Sequence, residues 1–108
     1  VEIRPDWAAI DAFSDVVEQK QQQRTAFAKA FEQKLMQFEQ ALAAVNFHEL
    51  QRMAHQLKAA CEQVGISNWS ESLQTIELAA QMQHEQRINQ ESELLLPKLQ
   101  ELMKQLHT

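Results

Sequence analysis

The stretch FHELQRMAHQLKAACEQVG, Phe47 to Gly65, decides the fold. Phe47, Leu50, Ala54, Leu57, Cys61 and Val64 recur at three- and four-residue steps, the spacing of one face of an amphipathic helix. Asn46 stands just before the first of them, where its side chain can accept from an orphan amide. Gly65, the sole glycine, stands just past the last, where a left-handed C-terminal cap favours a residue without a Cβ. With a start signal, one apolar face and a stop signal, the stretch reads as a complete helix. His55 then falls roughly 140° from the centre of the apolar stripe, on the solvent side.

The same reading extends in both directions. Upstream, Phe27, Phe31, Leu35, Phe38, Leu42 and Val45 make a stripe about five turns long, the mark of a long core helix. Before it, the polar run Glu18 to Gln23 has no apolar period and reads as a connection. Pro5 and Asp6 then announce a short first helix that buries Trp7, Ile10, Phe13 and Val17. Downstream, Ser67 or Asn68 caps a fourth helix, with Asn68 and Glu71 at capping-box spacing and Trp69, Leu73, Ile76 and Ala80 inward. A polar connection is expected around His84 to Asn89. The last helix carries Leu95, Leu99, Leu102 and Leu106; Pro97 predicts a kink or a start near Leu96, and Leu94, Leu96 and Met103 are left to cover the first helix. The expected fold is all-α: one domain over residues 1–108, an antiparallel four-helix bundle with an additional short N-terminal helix.

Composition agrees and narrows the function classes. One Gly, two Pro and no Tyr stand against many Gln, Glu, Ala, Leu and Lys, which lose little rotamer freedom in a helix. A formal net charge of -5 provides no basic stripe for a phosphate backbone, so no nucleic-acid partner is expected. The single Cys61 allows no internal disulfide and no multi-cysteine zinc site, and it reads as a small core residue in a reducing, cytoplasmic compartment. No apolar run spans a membrane, so no direct membrane contact is expected of this segment. The chain starts at Val1 rather than Met, which suggests a segment cut from a longer protein, possible membrane-bound parts included. No Glu has a His three residues on, which argues against a di-iron bundle site. No glycine-rich loop cradles a phosphate, so ATP-dependent kinase activity is not expected either.

The chemistry-bearing group is His55 with its neighbours. Lys58, at i+3, emerges one turn on, where an ammonium can partner the oxygens of a phosphoryl group on the ring. Ala59, at i+4, leaves a low surface for an approaching partner. His48 shares the exposed face seven residues earlier, without a lysine at i+3. The pattern His55-x-Leu57-Lys58, followed by small residues and by Gly65 ten positions after the histidine, resembles the histidine-containing phosphotransfer (HPt) family. Phe38, Ala41-Leu42, Leu50 and Ala54 upstream, and Leu73, Ile76-Glu77 and Ala80 downstream, fall in the family's register. Two positions depart from it: Ala59 stands where the family usually has Gly, and Asn46 where it usually has Asp.

The resemblance implies a phosphorelay intermediate. His55 would accept a phosphoryl group on Nε2 from a receiver-domain aspartate and pass it to a response-regulator aspartate, with Lys58 stabilising the charge. Glu77 on the fourth helix would hold Nδ1 and so orient the imidazole. Gln51, Arg52, Gln56, Ala59 and Glu62 would meet the partner, a receiver domain of a response regulator or of a hybrid sensor kinase. No cofactor of its own is expected, Mg²⁺ being supplied on the partner receiver, and the isolated domain is expected to be a monomer. A structural, adaptor or sensory bundle would carry the same stripes; the two readings part at His55.

Overall fold

The computed structural model describes residues 3–13 and 15–108 of the chain. Its elements are α1 (Ala8–Asp11), α2 (Val17–Ala44), α3 (Phe47–Gln63), α4 (Ser70–Gln81) and α5 (Glu85–Leu106). The chain is all-helical, a bundle of four long helices and one short one. α3 packs between α2 and α4, α5 closes the ring against α4 and α2, and α1 lies on α2. The longest dimension, 46 Å, is close to the roughly 42 Å expected of the 28-residue α2 alone, so that helix sets the length of the molecule.

One contiguous core lies along the bundle axis, built on Phe31, Leu35 and Phe38 of α2, Leu50, Met53 and Leu57 of α3, Leu73 and Ile76 of α4, and Ile88, Leu99 and Leu102 of α5. The stripes read from sequence supply most of it. Phe27 and Leu42 are half-buried at its margin, and Val45 lies outside it as the residue that ends α2. Asn46 caps α3 as expected, its Oδ1 accepting from the Glu49 amide at 3.2 Å. Gly65 ends α3 with φ of 74°: its amide donates to the Glu62 carbonyl and the Ile66 amide to the Cys61 carbonyl, which satisfies two orphan acceptors.

Several boundaries differ from expectation. The run Glu18 to Gln23 is helical, not a connection, because α2 begins at Val17. Its Gln, Glu and Lys residues are good helix formers and prolong α2 beyond the core in solvent. The first helix is one turn, and of its expected buried face only Ile10 is fully buried, with Trp7 half-buried; Phe13 is 80% and Val17 75% exposed. Trp7 packs edge-on against Phe27 and beneath Arg24, whose guanidinium forks onto Asp11. Neither Ser67 nor Asn68 caps α4. Trp69 takes the N-cap position without a side-chain bond, because its ring is held in the core.

The connection after α4 is also shorter than expected. α5 starts at Glu85, His84 Nδ1 accepts from the Arg87 amide at 3.2 Å, and Ile88 is buried. Pro97 lies inside α5, which neither starts at Leu96 nor breaks there: the exposed position forgoes one ladder bond while Leu95 and Leu99 on either side stay packed. Leu94 covers nothing and is exposed, whereas Leu96 and Met103 pack at the edge of the core. Among the described residues no helix is long and apolar enough to cross a membrane.

Candidate functional site

Two polar contacts mark the antiparallel register of α3 and α4. The Ser70 hydroxyl donates to Glu62 Oε1 at 2.9 Å, and His55 Nδ1 lies 3.2 Å from Glu77 Oε1. Seven residues separate the two positions on each helix, so the contacts are successive rungs of one seam with a two-turn repeat. Core packing just beneath sets this register: Ala54, Leu57 and Cys61 of α3 are buried with Leu73, Ile76 and Ala80 of α4.

His55 stands on the solvent face of α3 as its helical phase requires, with 63% of its side chain exposed. With Nδ1 beside Glu77, the outward nitrogen is Nε2. Glu77 is only 23% exposed, so its carboxylate is held by the helix interface rather than waving in solvent. His55 and Glu77 share an open hollow of about 360 Å³ with His48, Gln51, Arg52 and Gln56. The membership of His48 was legible only as a shared helix face; that it and His55 border one concavity comes from the position of α4.

The remaining sequence-selected residues divide. Gln51 and Gln56 are half-buried in the hollow, and Ala59 is exposed beyond it. Arg52 is engaged within its own helix: Nε donates to Glu49 Oε1 at 3.0 Å and a terminal nitrogen to Oε2 at 2.8 Å. That bond holds the Glu49 carboxyl below the usual carboxylate range. Glu62 is engaged by Ser70, a partner with no sequence signal except its place in the seam. Lys58 is half-buried, makes no ion pair among the described residues and does not border the hollow.

The other three histidines are engaged differently. His107 turns Nε2 toward Glu32 Oε2 at 3.1 Å, His84 commits Nδ1 to capping α5, and His48 makes no hydrogen bond or ion pair with a carboxylate among the described residues. A larger hollow of about 510 Å³ lies at the end of the bundle beside Trp7, Lys20 and Arg24, but there Arg24 and the nearby His107 already face Asp11 and Glu32. Among the described residues no three His, Cys, Asp or Glu side chains converge in a way that could hold a metal ion.

The profile of a family described as Hpt domain matches residues 22–108, which takes in α3, α4, α5 and most of α2. No curated protein and no solved structure matched the chain.

Proposed function

The chain belongs to the Hpt domain family, and on that premise, which carries a histidine phosphotransfer role in phosphorelay, we propose that His55 is its phosphoacceptor. The observation that carries this reading is the pairing of a largely exposed ring with a carboxylate at Nδ1 only. A proton on Nδ1 facing Glu77 leaves the Nε2 lone pair outward, and the carboxylate fixes both the tautomer and the ring plane. Among the described residues no other histidine combines an outward Nε2 with a carboxylate at Nδ1.

Hpt domains act with receiver domains in general. In the proposed step the Nε2 lone pair of His55 attacks the phosphorus of a receiver acyl phosphate in line. The Nε2–P bond forms as the P–O bond to the aspartate breaks, and the carboxylate leaves with the electron pair. Attack places positive charge on the imidazole, which the Glu77 carboxylate at Nδ1 offsets. The receiver supplies Mg²⁺, and this chain supplies orientation and charge, which dominate phosphoryl transfer. The return step to a second aspartate is the reverse.

Docking is proposed over the outward face of α3, through Gln51, Gln56 and Ala59 with Arg52 and Glu62 at the rim. Lys58 follows His55 by one helical turn, and its part is to neutralise the phosphoryl oxygens. The donor in this reading is a receiver-domain aspartate, of a response regulator or of a hybrid sensor kinase, and the acceptor a response-regulator aspartate. Incubation with a phosphorylated receiver domain tests the assignment by following acid-labile, base-stable phosphate on the chain. Transfer is expected in the wild type and absent in His55→Ala; transfer undiminished in that variant would overturn the reading.

A further inference from the structure

A long helical side chain leans toward the N-terminus of its helix, because every Cα–Cβ bond tilts that way. The outer edge of the His55 ring therefore overlies the preceding turn, that of Gln51 and Arg52, and both side chains border the same hollow as the ring. Lys58, on the following turn, does not border it.

We propose that Arg52 binds the phosphoryl group on His55 Nε2 and that Glu49 holds its guanidinium ready for that group. The proposal rests on His55 as phosphoacceptor and adds to that reading a second cation, on the opposite side of the ring from Lys58 along the helix, that meets the phosphoryl oxygens. Arg52 lies one turn before His55, and 46% of its side chain is exposed. Its fork matches two phosphoryl oxygens, a fit that a lysine point charge lacks. Glu49 occupies two of the five N–H donors, so three remain for an incoming anion. An exposed pair of this kind is weakly held, so a dianionic group can share or displace Glu49 at little cost. The residues at positions 49, 52 and 55 then form one ridge in which Glu49 orients Arg52 and Arg52 meets the charge on His55.

The test uses phosphoramidate as a small donor, which removes receiver docking from the measurement. The P–N bond of the donor breaks, ammonia leaves and the His55 Nε2–P bond forms. Phosphohistidine formation is expected to slow on the order of tenfold in Arg52→Gln, the effect of losing a charged hydrogen bond, and by less in Arg52→Lys. In Glu49→Gln, where Arg52 is present but no longer held by a carboxylate, formation is expected to slow by less than in Arg52→Gln, and an unchanged rate would remove the orienting role of Glu49. The ³¹P resonance of the phosphohistidine supplies a readout that a purely structural role would not move. Its titration is expected at higher pH in Arg52→Gln, because a neighbouring cation favours the dianion. Wild-type formation rate and ³¹P titration in Arg52→Gln, or a loss confined to Lys58→Ala, would overturn the role of Arg52 while leaving His55 as phosphoacceptor. A wild-type chain phosphorylated by neither phosphoramidate nor a receiver would remove both.

Discussion

Glu77 reaches His55 from a neighbouring helix, and its own limited exposure keeps the carboxylate near Nδ1. Removing an orienting partner of this kind leaves a nucleophile whose tautomer and ring plane are free. Glu77→Ala is therefore expected to slow transfer from a phosphorylated receiver on the order of tenfold, with Glu77→Gln retaining more because its amide oxygen can still accept from Nδ1–H. Equal rates in the wild type and Glu77→Ala would reduce the contact to an incidental neighbour. Arg52 belongs to the same scale. An i,i+3 pairing with Glu49 is visible in the sequence, whereas its place beside His55 on one hollow comes from the structure.

At the scale of the element, the helix ends show where local chemistry and packing disagree. Three helices end in a residue at positive φ: Val45 after α2, Gly65 after α3 and Gln83 near the end of α4. All three close the same pair of bonds, the Asn46 amide to the Ala41 carbonyl, Ile66 to Cys61 and His84 to Ala79 being the longer member of each. Only Gly65 announces this in the sequence. There an added Cβ would also lie 3.0 Å from the Asp6 Cβ, so the N-terminal segment needs glycine for space as well as for backbone freedom. Val45 is β-branched and adopts φ of 52°, a conformation that costs an ordinary residue about 1–2 kcal/mol. Val45→Gly is expected to raise stability by about 0.5–1 kcal/mol, the relief being partly offset by the extra freedom of glycine in the unfolded chain. Urea denaturation with an unchanged m-value would show it, and a lowered midpoint would contradict it.

For the whole molecule, the buried thiol links stability to pH. Burial first, and the nearby Glu62 charge second, push Cys61 from 9.0 up to about 12. A raised folded-state value means that the full stabilisation is present below pH 9 and is lost as pH rises toward 12, since the unfolded chain releases a proton that the folded chain retains. The slope approaches about 1.4 kcal/mol per pH unit for one such proton. The chain has no Tyr, so no phenol adds to this alkaline limb. Denaturation midpoints measured from pH 8 to 10.5 are expected to fall in the wild type and to stay flatter in Cys61→Ala, from a lower start because a core atom is missing. Parallel slopes in the two proteins would remove Cys61 as the cause.

The sequence by itself determined the helical class, the inward faces of α3, α4 and the second half of α5, the Asn46 and Gly65 ends of α3 and the outward aspect of His55. Each of these follows from periodicity or from a local backbone requirement, which act within a few residues. Tertiary structure alone decided that Trp69 rather than Asn68 opens α4 and that α5 runs through Pro97. In these places local preferences differ by a few kcal/mol at most, and burial elsewhere along the helix outweighs them. The approach of Glu77 to His55, 22 residues apart in the chain, belongs to the same class. Helical phase fixes the side from which each residue projects, but only the packed register of α3 on α4 brings the two within 3.2 Å.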